Sequence, residues 1–250
     1  MESSDNTENL QSRRNFMVQA AAAVAGLTVV PGIFLYAVAA PRPVDQAVSD
    51  KVRWGMLIDT NQCQEGCNDC VKACNEENGL TSLGRPETDA QWIRKVVIKD
   101  KKTGYVKELP MMCQHCNNPP CVDVCPTGAS FKRADGIVLV DKHTCIGCRY
   151  CMMACPYKAR SFVHEPLTDQ KPYAPRGKGT VESCTFCVQR VDQDKQPACV
   201  ESCTKLSHKA MIFGNLNDPN SEISQRLKAV GGTQIRADLG LDLGVRYTGI

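Results

Sequence analysis

Cys145-Ile146-Gly147-Cys148-Arg149-Tyr150-Cys151-Met152-Met153-Ala154-Cys155-Pro156 is the stretch that decides how this chain folds. Three thiols at successive x2 spacings lie on one tight loop and can cap a single iron–sulfur cubane. The fourth, one helical turn on and followed by proline, faces away from the loop and ligates the other cluster of a two-cluster unit. Upstream, Cys113, Cys116, Cys121 and Cys125 repeat the pattern and again close with Cys125-Pro126. Their middle gap, Asn117-Asn118-Pro119-Pro120, is two residues longer. Further out stand Cys63, Cys67, Cys70 and Cys74, then Cys184, Cys187, Cys199 and Cys203. All sixteen cysteines fall into these four quartets. Four 4Fe-4S clusters need that many thiolates, so the inventory points to an electron wire rather than an active site.

The second and third quartets read as the halves of one dicluster module. Between them, Pro126-Thr127-Gly128-Ala129 makes a turn, and Asp135 to Asp141 feeds a short apolar strand into the next ligand loop. The first and fourth quartets pair in the same way around that module, although Cys63-x3-Cys67 is one residue long and Cys187-x11-Cys199 much longer. An internal repeat supports this scheme: Val52 to Asp59 then Cys63 echoes Ile137 to Asp141 then Cys145. The fold class is therefore α+β, with tandem nested bacterial-ferredoxin-like dicluster modules built from short strands, short helices and long loops. The organisation reads as a signal peptide over 1–39, a linker over 40–50, and the first half of the outer module over 51–80. A β-hairpin insertion over 81–110 and the inner module over 111–165 follow. After these come a loop over 166–180, the second half of the outer module over 181–215 and a C-terminal tail over 216–250. Trp92 to Lys99 and Tyr105 to Leu109 alternate around Lys101-Lys102-Thr103-Gly104, which predicts the hairpin. Short helices are expected after Cys70, Cys151 and Cys199.

Structural zinc fits the cysteines poorly, because zinc sites use two separated Cys-x2-Cys knuckles. Disulfides are the usual reading of a cysteine-rich exported chain, and the N-terminus does look exported. Its signal, however, is Ser12-Arg13-Arg14-Asn15-Phe16-Met17, a twin-arginine signature ahead of an alanine-rich apolar stretch from Val18 to Ala40. That route carries folded proteins, and so it suits clusters assembled in a reducing cytoplasm. The location expected is periplasmic. Ala37-Val38-Ala39 favours cleavage; an uncleaved stretch of this length would serve as a membrane anchor. No other segment is long and apolar enough to span.

The formal net charge is +3. Residues 1–39 hold Arg13 and Arg14 against Glu2, Asp5 and Glu8, so the remainder carries one more positive charge. Each oxidised cubane with its thiolates contributes about −2, bringing a four-cluster protein to roughly −4. The excess Lys and Arg then compensate buried negative clusters. Nucleic acid is not expected as a partner, since the basic patches Lys99 to Lys102 and Arg176 to Gly179 lack interleaved aromatics and read as solvated loops. His115 more readily hydrogen-bonds near a cluster than ligates iron. His143, His164 and His208 are scattered, with no Ser-His-Asp or Cys-His pairing. Met152, Met153 and Phe131 read as packing against clusters. Gly177 and Gly179 belong to no phosphate-binding motif. An autonomous iron–sulfur enzyme with an open iron would show a three-cysteine site, and the count offers none.

Over residues 52–228 the chain resembles the four-cluster iron–sulfur subunits that accompany molybdopterin enzymes of the dimethyl sulfoxide reductase type and related membrane redox complexes. The resemblance rests on Cys113-Gln114-His115-Cys116-Asn117-Asn118-Pro119-Pro120-Cys121, the Cys145 to Tyr157 run, Pro197-Ala198-Cys199-Val200 and Phe213-Gly214-Asn215-Leu216-Asn217-Asp218-Pro219. It implies one cluster on Cys63, Cys67, Cys70 and Cys203, and a second on Cys74, Cys184, Cys187 and Cys199. It implies a third on Cys113, Cys116, Cys121 and Cys155, and a fourth on Cys125, Cys145, Cys148 and Cys151. The expected role is electron transfer within a multisubunit oxidoreductase. Its own twin-arginine signal and the longer Cys63 to Cys70 loop resemble the periplasmic iron–sulfur subunits of Dsr-type complexes, which link the quinone pool to dissimilatory sulfur metabolism. The implied partners are a membrane-integral quinone-binding subunit with a multihaem cytochrome c or a molybdopterin catalytic subunit. Subunits of tetrathionate, polysulfide and nitrite reductases and of hydrogenases are the rival readings.

Overall fold

A computed structural model describes residues 47–168, 170–206 and 209–250. The twin-arginine stretch, most of the 40–50 linker and His208 lie outside the described residues.

Strand β1 (Trp54–Asp59) leads to the first quartet, and α1 (Asp69–Asn78) carries Cys70 and Cys74. Gly79 ends α1 at φ 64°, its N–H returning to the Asn75 carbonyl, a left-handed cap that glycine adopts without strain. Next comes a hairpin of β2 (Ile93–Lys99) and β3 (Val106–Met112), with Ile93 opposite Met112 and Val96 opposite Leu109. The Asp100 carboxylate holds its turn, accepting from the amides of Lys102 at 2.7 Å and Thr103 at 3.3 Å. The second strand runs beyond Leu109 through Pro110 to Met112, directly into Cys113. A two-stranded ribbon leaves one side of each strand unpaired, and so tolerates a proline without a ladder N–H.

The chain continues with α2 (Pro120–Asp123), β4 (Ser130–Lys132), β5 (Val138–Val140) and α3 (Tyr150–Ala154). Then come β6 (Ser161–Phe162), β7 (Val181–Glu182), α4 (Val188–Val191), α5 (Ala198–Lys205) and β8 (Met211–Asn215). An antiparallel pair lies between each two consecutive quartets: β2 with β3, β4 with β5, β6 with β7. After the fourth quartet, β8 returns antiparallel to β1, with Met56 opposite Phe213 and Ile58 opposite Met211. This last pairing closes the series and brings the first and fourth quartets together.

The segment 216–250, expected as a tail, is part of the core instead. It forms α6 (Glu222–Val230), a 3-10 turn (Ala237–Leu239) and β9 (Val245–Thr248). Ser221 caps α6, its Oγ accepting from the Ser224 amide, a standard solution for an orphan N–H. Strand β9 lies parallel to β1, giving the sheet order β8-β1-β9. Its Val245 and Tyr247 are fully buried, and the Tyr247 hydroxyl donates to the Pro110 carbonyl at 3.0 Å. Four residues of alternation are too short a signal to announce a strand whose partner lies near the other end of the sequence.

The 166–180 segment contains no helix or strand among its described residues, only an isolated bridge between Lys171 and Ala174. Its Arg176, expected in a solvated basic patch, is buried. The guanidinium grips Glu182 at 2.9 and 2.7 Å and the Gly79 carbonyl at 2.6 Å. It ties the loop to β7 and to the end of α1, and the bidentate pairing offsets the loss of hydration. Among the described residues no helix is long and apolar enough to cross a membrane.

Candidate metal centres

The Cys-x2-Cys turns of the second, third and fourth quartets curl through left-handed backbone. His115 (φ 44°), Gly147 (φ 71°), Arg149 (φ 63°), Phe186 (φ 53°) and Cys187 (φ 50°) supply it. At Gly147 the requirement is double, because a Cβ there would also strike the Gly179 carbonyl. The last thiol of each inner quartet departs differently. Cys155 is extended at φ −74°, ψ 112°, since the following proline disfavours helix at the residue before it.

The helices carry the quartets into contact in pairs: α1 packs against α5, and α2 against α3. Cys63, Cys67, Cys70 and Cys203 consequently line one cavity together with Ile58 and Met211. Cys74 shares its surroundings with Cys184 and Cys187, and Cys199 with those same three. In the inner part, Cys113, Cys116 and Cys121 all neighbour Cys155, while Cys151 neighbours Cys145 and Cys125. Further proximities cross these sets, the first of them between Cys70 and Cys199. Cys184 lies near Cys113, and Cys121 near Cys151.

All sixteen thiols are free of disulfides. Burial, with neighbouring thiols adding to it, pushes Cys70 and Cys116 up to about 12 and Cys74, Cys184 and Cys199 well above the ordinary thiol range. Cys125 runs the other way. Burial alone would raise it, but hydrogen bonds from Ser130, Thr127 and Ala129 outweigh that effect. Thiols packed this way are uneasy as a protein-only core; iron, which binds the thiolate and displaces its proton, resolves the conflict.

The remaining polar groups fit the same occupant. Sulfur accepts from the Ser130 amide at Cys125 (3.3 Å), the Val181 amide at Cys145 (3.5 Å) and Arg160 Nη2 at Cys121 (3.1 Å). Farther out, Lys95 Nζ lies 3.6 Å from Cys63 Sγ, and Asn78 Nδ2 lies 3.7 Å from Cys74 Sγ. His115 Nε2, Tyr157 Oη, and Arg160 Nε and Nη1 are buried with no partner. An unmet buried donor costs about 1–3 kcal/mol, and the inorganic sulfides of a cubane are acceptors of the kind these groups lack. No three His, Cys, Asp or Glu side chains among the described residues gather tightly enough for a single metal ion. The irons of a cubane spread over its corners, so its thiolates stand further apart than the ligands of one ion.

His115 is neutral: burial, then the nearby Arg53 and Arg160, press it down to about 3. Its Nδ1 accepts from the Val138 amide at 3.0 Å, and its ring stacks on Phe186 at 3.7 Å between centroids. The proton therefore sits on Nε2, a buried donor with no partner. His143 is exposed on its loop, and His164 packs edge-on to Phe162. Met152 packs against the core as expected, whereas Met153 and Phe131 do not, being 65% and 38% exposed. Arg160 and Lys95 were not legible as site residues, because a lysine or arginine between ligand runs looks like any other surface cation.

Two family models described as "4Fe-4S dicluster domain" match residues 61–129 and 105–216. The chain is 42% identical to the Hdr-like menaquinol oxidoreductase iron-sulfur subunit 1 of Archaeoglobus fulgidus, over 95% of this chain and 98% of that protein. It belongs to this family of iron–sulfur subunits. A tetrathionate reductase subunit of Salmonella typhimurium is 39% identical over 86% of this chain and 78% of its own length. Protein NrfC of Escherichia coli is 43% identical over 71% and 72%. The subunit carries four 4Fe-4S clusters in ferredoxin-like dicluster domains of α+β structure. It is an electron-transfer subunit of a multisubunit oxidoreductase rather than a catalytic enzyme.

Proposed function

We propose that this subunit carries electrons along four clusters in single file, between a membrane-integral quinol-oxidising partner and a soluble redox partner in the periplasm. The ligand sets are Cys63, Cys67, Cys70 with Cys203; Cys74 with Cys184, Cys187, Cys199; Cys113, Cys116, Cys121 with Cys155; and Cys145, Cys148, Cys151 with Cys125. The packing of α1 on α5 and of α2 on α3 supports these exchanged sets and the nesting of one dicluster module inside the other. Nearness of Cys70 to Cys199, of Cys184 to Cys113 and of Cys121 to Cys151 supports the order of the file. Electrons hop between neighbours, and burial and hydrogen bonds to sulfur set each potential.

The quinol side rests on one observation. The correspondence with the Archaeoglobus protein, which is named as a menaquinol oxidoreductase subunit, runs through 95% of this chain, against 86% and 71% for the tetrathionate reductase subunit and NrfC. Sulfur-compound metabolism is the downstream process proposed. To test this, the subunit is tagged in its own host and the intact complex is purified from membranes without oxygen. A quinone-binding membrane subunit is expected to copurify, and a menaquinol analogue is expected to reduce the clusters. Copurification of a molybdopterin subunit instead, with cluster oxidation by tetrathionate or polysulfide, overturns the quinol reading in favour of a reductase.

A further inference from the structure

Arg160 and Arg176 are the buried arginines among the described residues. Arg176 pairs with Glu182, and the half-buried Arg133 and Arg190 also pair with carboxylates, which offsets desolvation; the half-buried Arg53 donates to carbonyls instead. Arg160 is only 6% exposed and forms no ion pair with a carboxylate among the described residues. Its contacts are with thiols. Nη2 donates to Cys121 Sγ at 3.1 Å and to Ser130 Oγ at 2.8 Å, and the guanidinium also interacts with the Cys151 thiol. Nε and Nη1, both buried, have no partner. Ser130 completes the arrangement: its hydroxyl holds Arg160 while its amide donates to Cys125 Sγ at 3.3 Å.

Cys121 and Cys151 belong to different ligand sets in the assignment proposed above, on which this step rests. We propose that Arg160 is a shared positive bridge between the two inner clusters, holding both reduction potentials above the values they would have without it. An oxidised cubane with four thiolates carries about −2 and its one-electron reduced form about −3. A fixed cation and N–H···S bonds in a low-dielectric interior both stabilise the more negative form. One guanidinium bonded to Cys121 of one set, and through Ser130 to the loop that holds Cys125 of the other, acts on two neighbouring potentials at once, which keeps this hop nearly level. Arg160 is a positioning residue for charge and takes part in no bond-making step.

The test is a potentiometric titration of the purified complex, followed by low-temperature electron paramagnetic resonance, in wild type, R160Q and R160K. Cys121→Ser and Cys151→Ser in parallel identify the two inner signals. In R160Q both inner potentials fall while the two outer potentials and the iron content stay put; in R160K, which keeps the charge but loses the fork, both fall by less. If Cys121→Ser and Cys151→Ser disturb the same signal, the ligand assignment fails. If they disturb different signals and R160Q moves neither or only one, the bridge fails and the assignment stands. Should R160Q not load iron, R160K carries the test, and inner potentials unchanged from wild type overturn the bridge. A merely structural role would cost iron or stability without this selective paired shift.

Discussion

At Cys74, one turn of helix separates two destinations. Cys70 and Cys74 stand four residues apart on α1, and so on one face, yet Cys70 neighbours Cys63, Cys67 and Cys203 while Cys74 neighbours Cys184 and Cys187. The facing helix α5 offers Cys199 and Cys203 at the same spacing. Cys70 meets Cys203 and Cys74 meets Cys199, so the helices pass antiparallel with one thiol of each in either group of neighbours. Cys74→Ala should therefore disturb the paramagnetic signal that Cys184→Ala disturbs, and Cys63→Ala the one that Cys203→Ala disturbs. Loss of one common signal in Cys74→Ala and Cys63→Ala would mean that each quartet keeps its own cluster.

Among the elements, the most exacting junction is between the 166–180 loop, β7 and the end of α1, where Arg176 and Glu182 are buried at 8% and 0% exposure. Removing one partner strands the other charge in the interior. Arg176→Ala should thus cost about 3–5 kcal/mol, whereas the double change Arg176→Met, Glu182→Leu recovers most of it; anaerobic denaturant titration of the holoprotein measures both. A double variant no better than the single would show that the charge itself is not what the junction requires. Strand β9 makes a gentler case. Tyr247→Phe deletes a buried hydrogen bond to the Pro110 carbonyl and should lower stability by about 0.5–1.5 kcal/mol. An unchanged denaturation midpoint would contradict the place of the C-terminal segment in the core.

For the molecule as a whole, the cysteines are themselves core. Eleven of them are buried, alongside Met56, Ile58, Ile137, Leu243 and Tyr247. A core with that composition needs its clusters to be filled, because chain entropy is opposed here by metal bonds as much as by apolar contact. Stripping iron with a chelator under reducing, anaerobic conditions should abolish the cooperative unfolding transition and the near-ultraviolet circular dichroism; an apoprotein that still melts cooperatively would refute this. The same dependence explains the proposed export route, since a chain folded around its clusters has to cross the membrane folded. Replacing Arg13 and Arg14 with Lys should leave cluster-loaded precursor in the cytoplasm. Undiminished export in cell fractions would remove that assignment.

The grouping of the cysteines into quartets, the dicluster pattern, the hairpin over 93–112 and the helices after Cys70, Cys151 and Cys199 were determined by sequence alone, because each depends on spacing within a few residues. The strand-to-strand echo between Val52–Asp59 and Ile137–Asp141 was legible for the same reason, and both segments hold strands. Which thiols become neighbours across the chain, the recruitment of 216–250 into the β1 sheet, the burial of Arg176 and the place of Arg160 between two thiol sets were decided only by tertiary structure. Local pattern records how a residue faces its own helix or strand. A cation's partner is chosen by whatever the closing of β8 on β1 and the packing of α2 on α3 bring against it, and that information is spread over the whole chain.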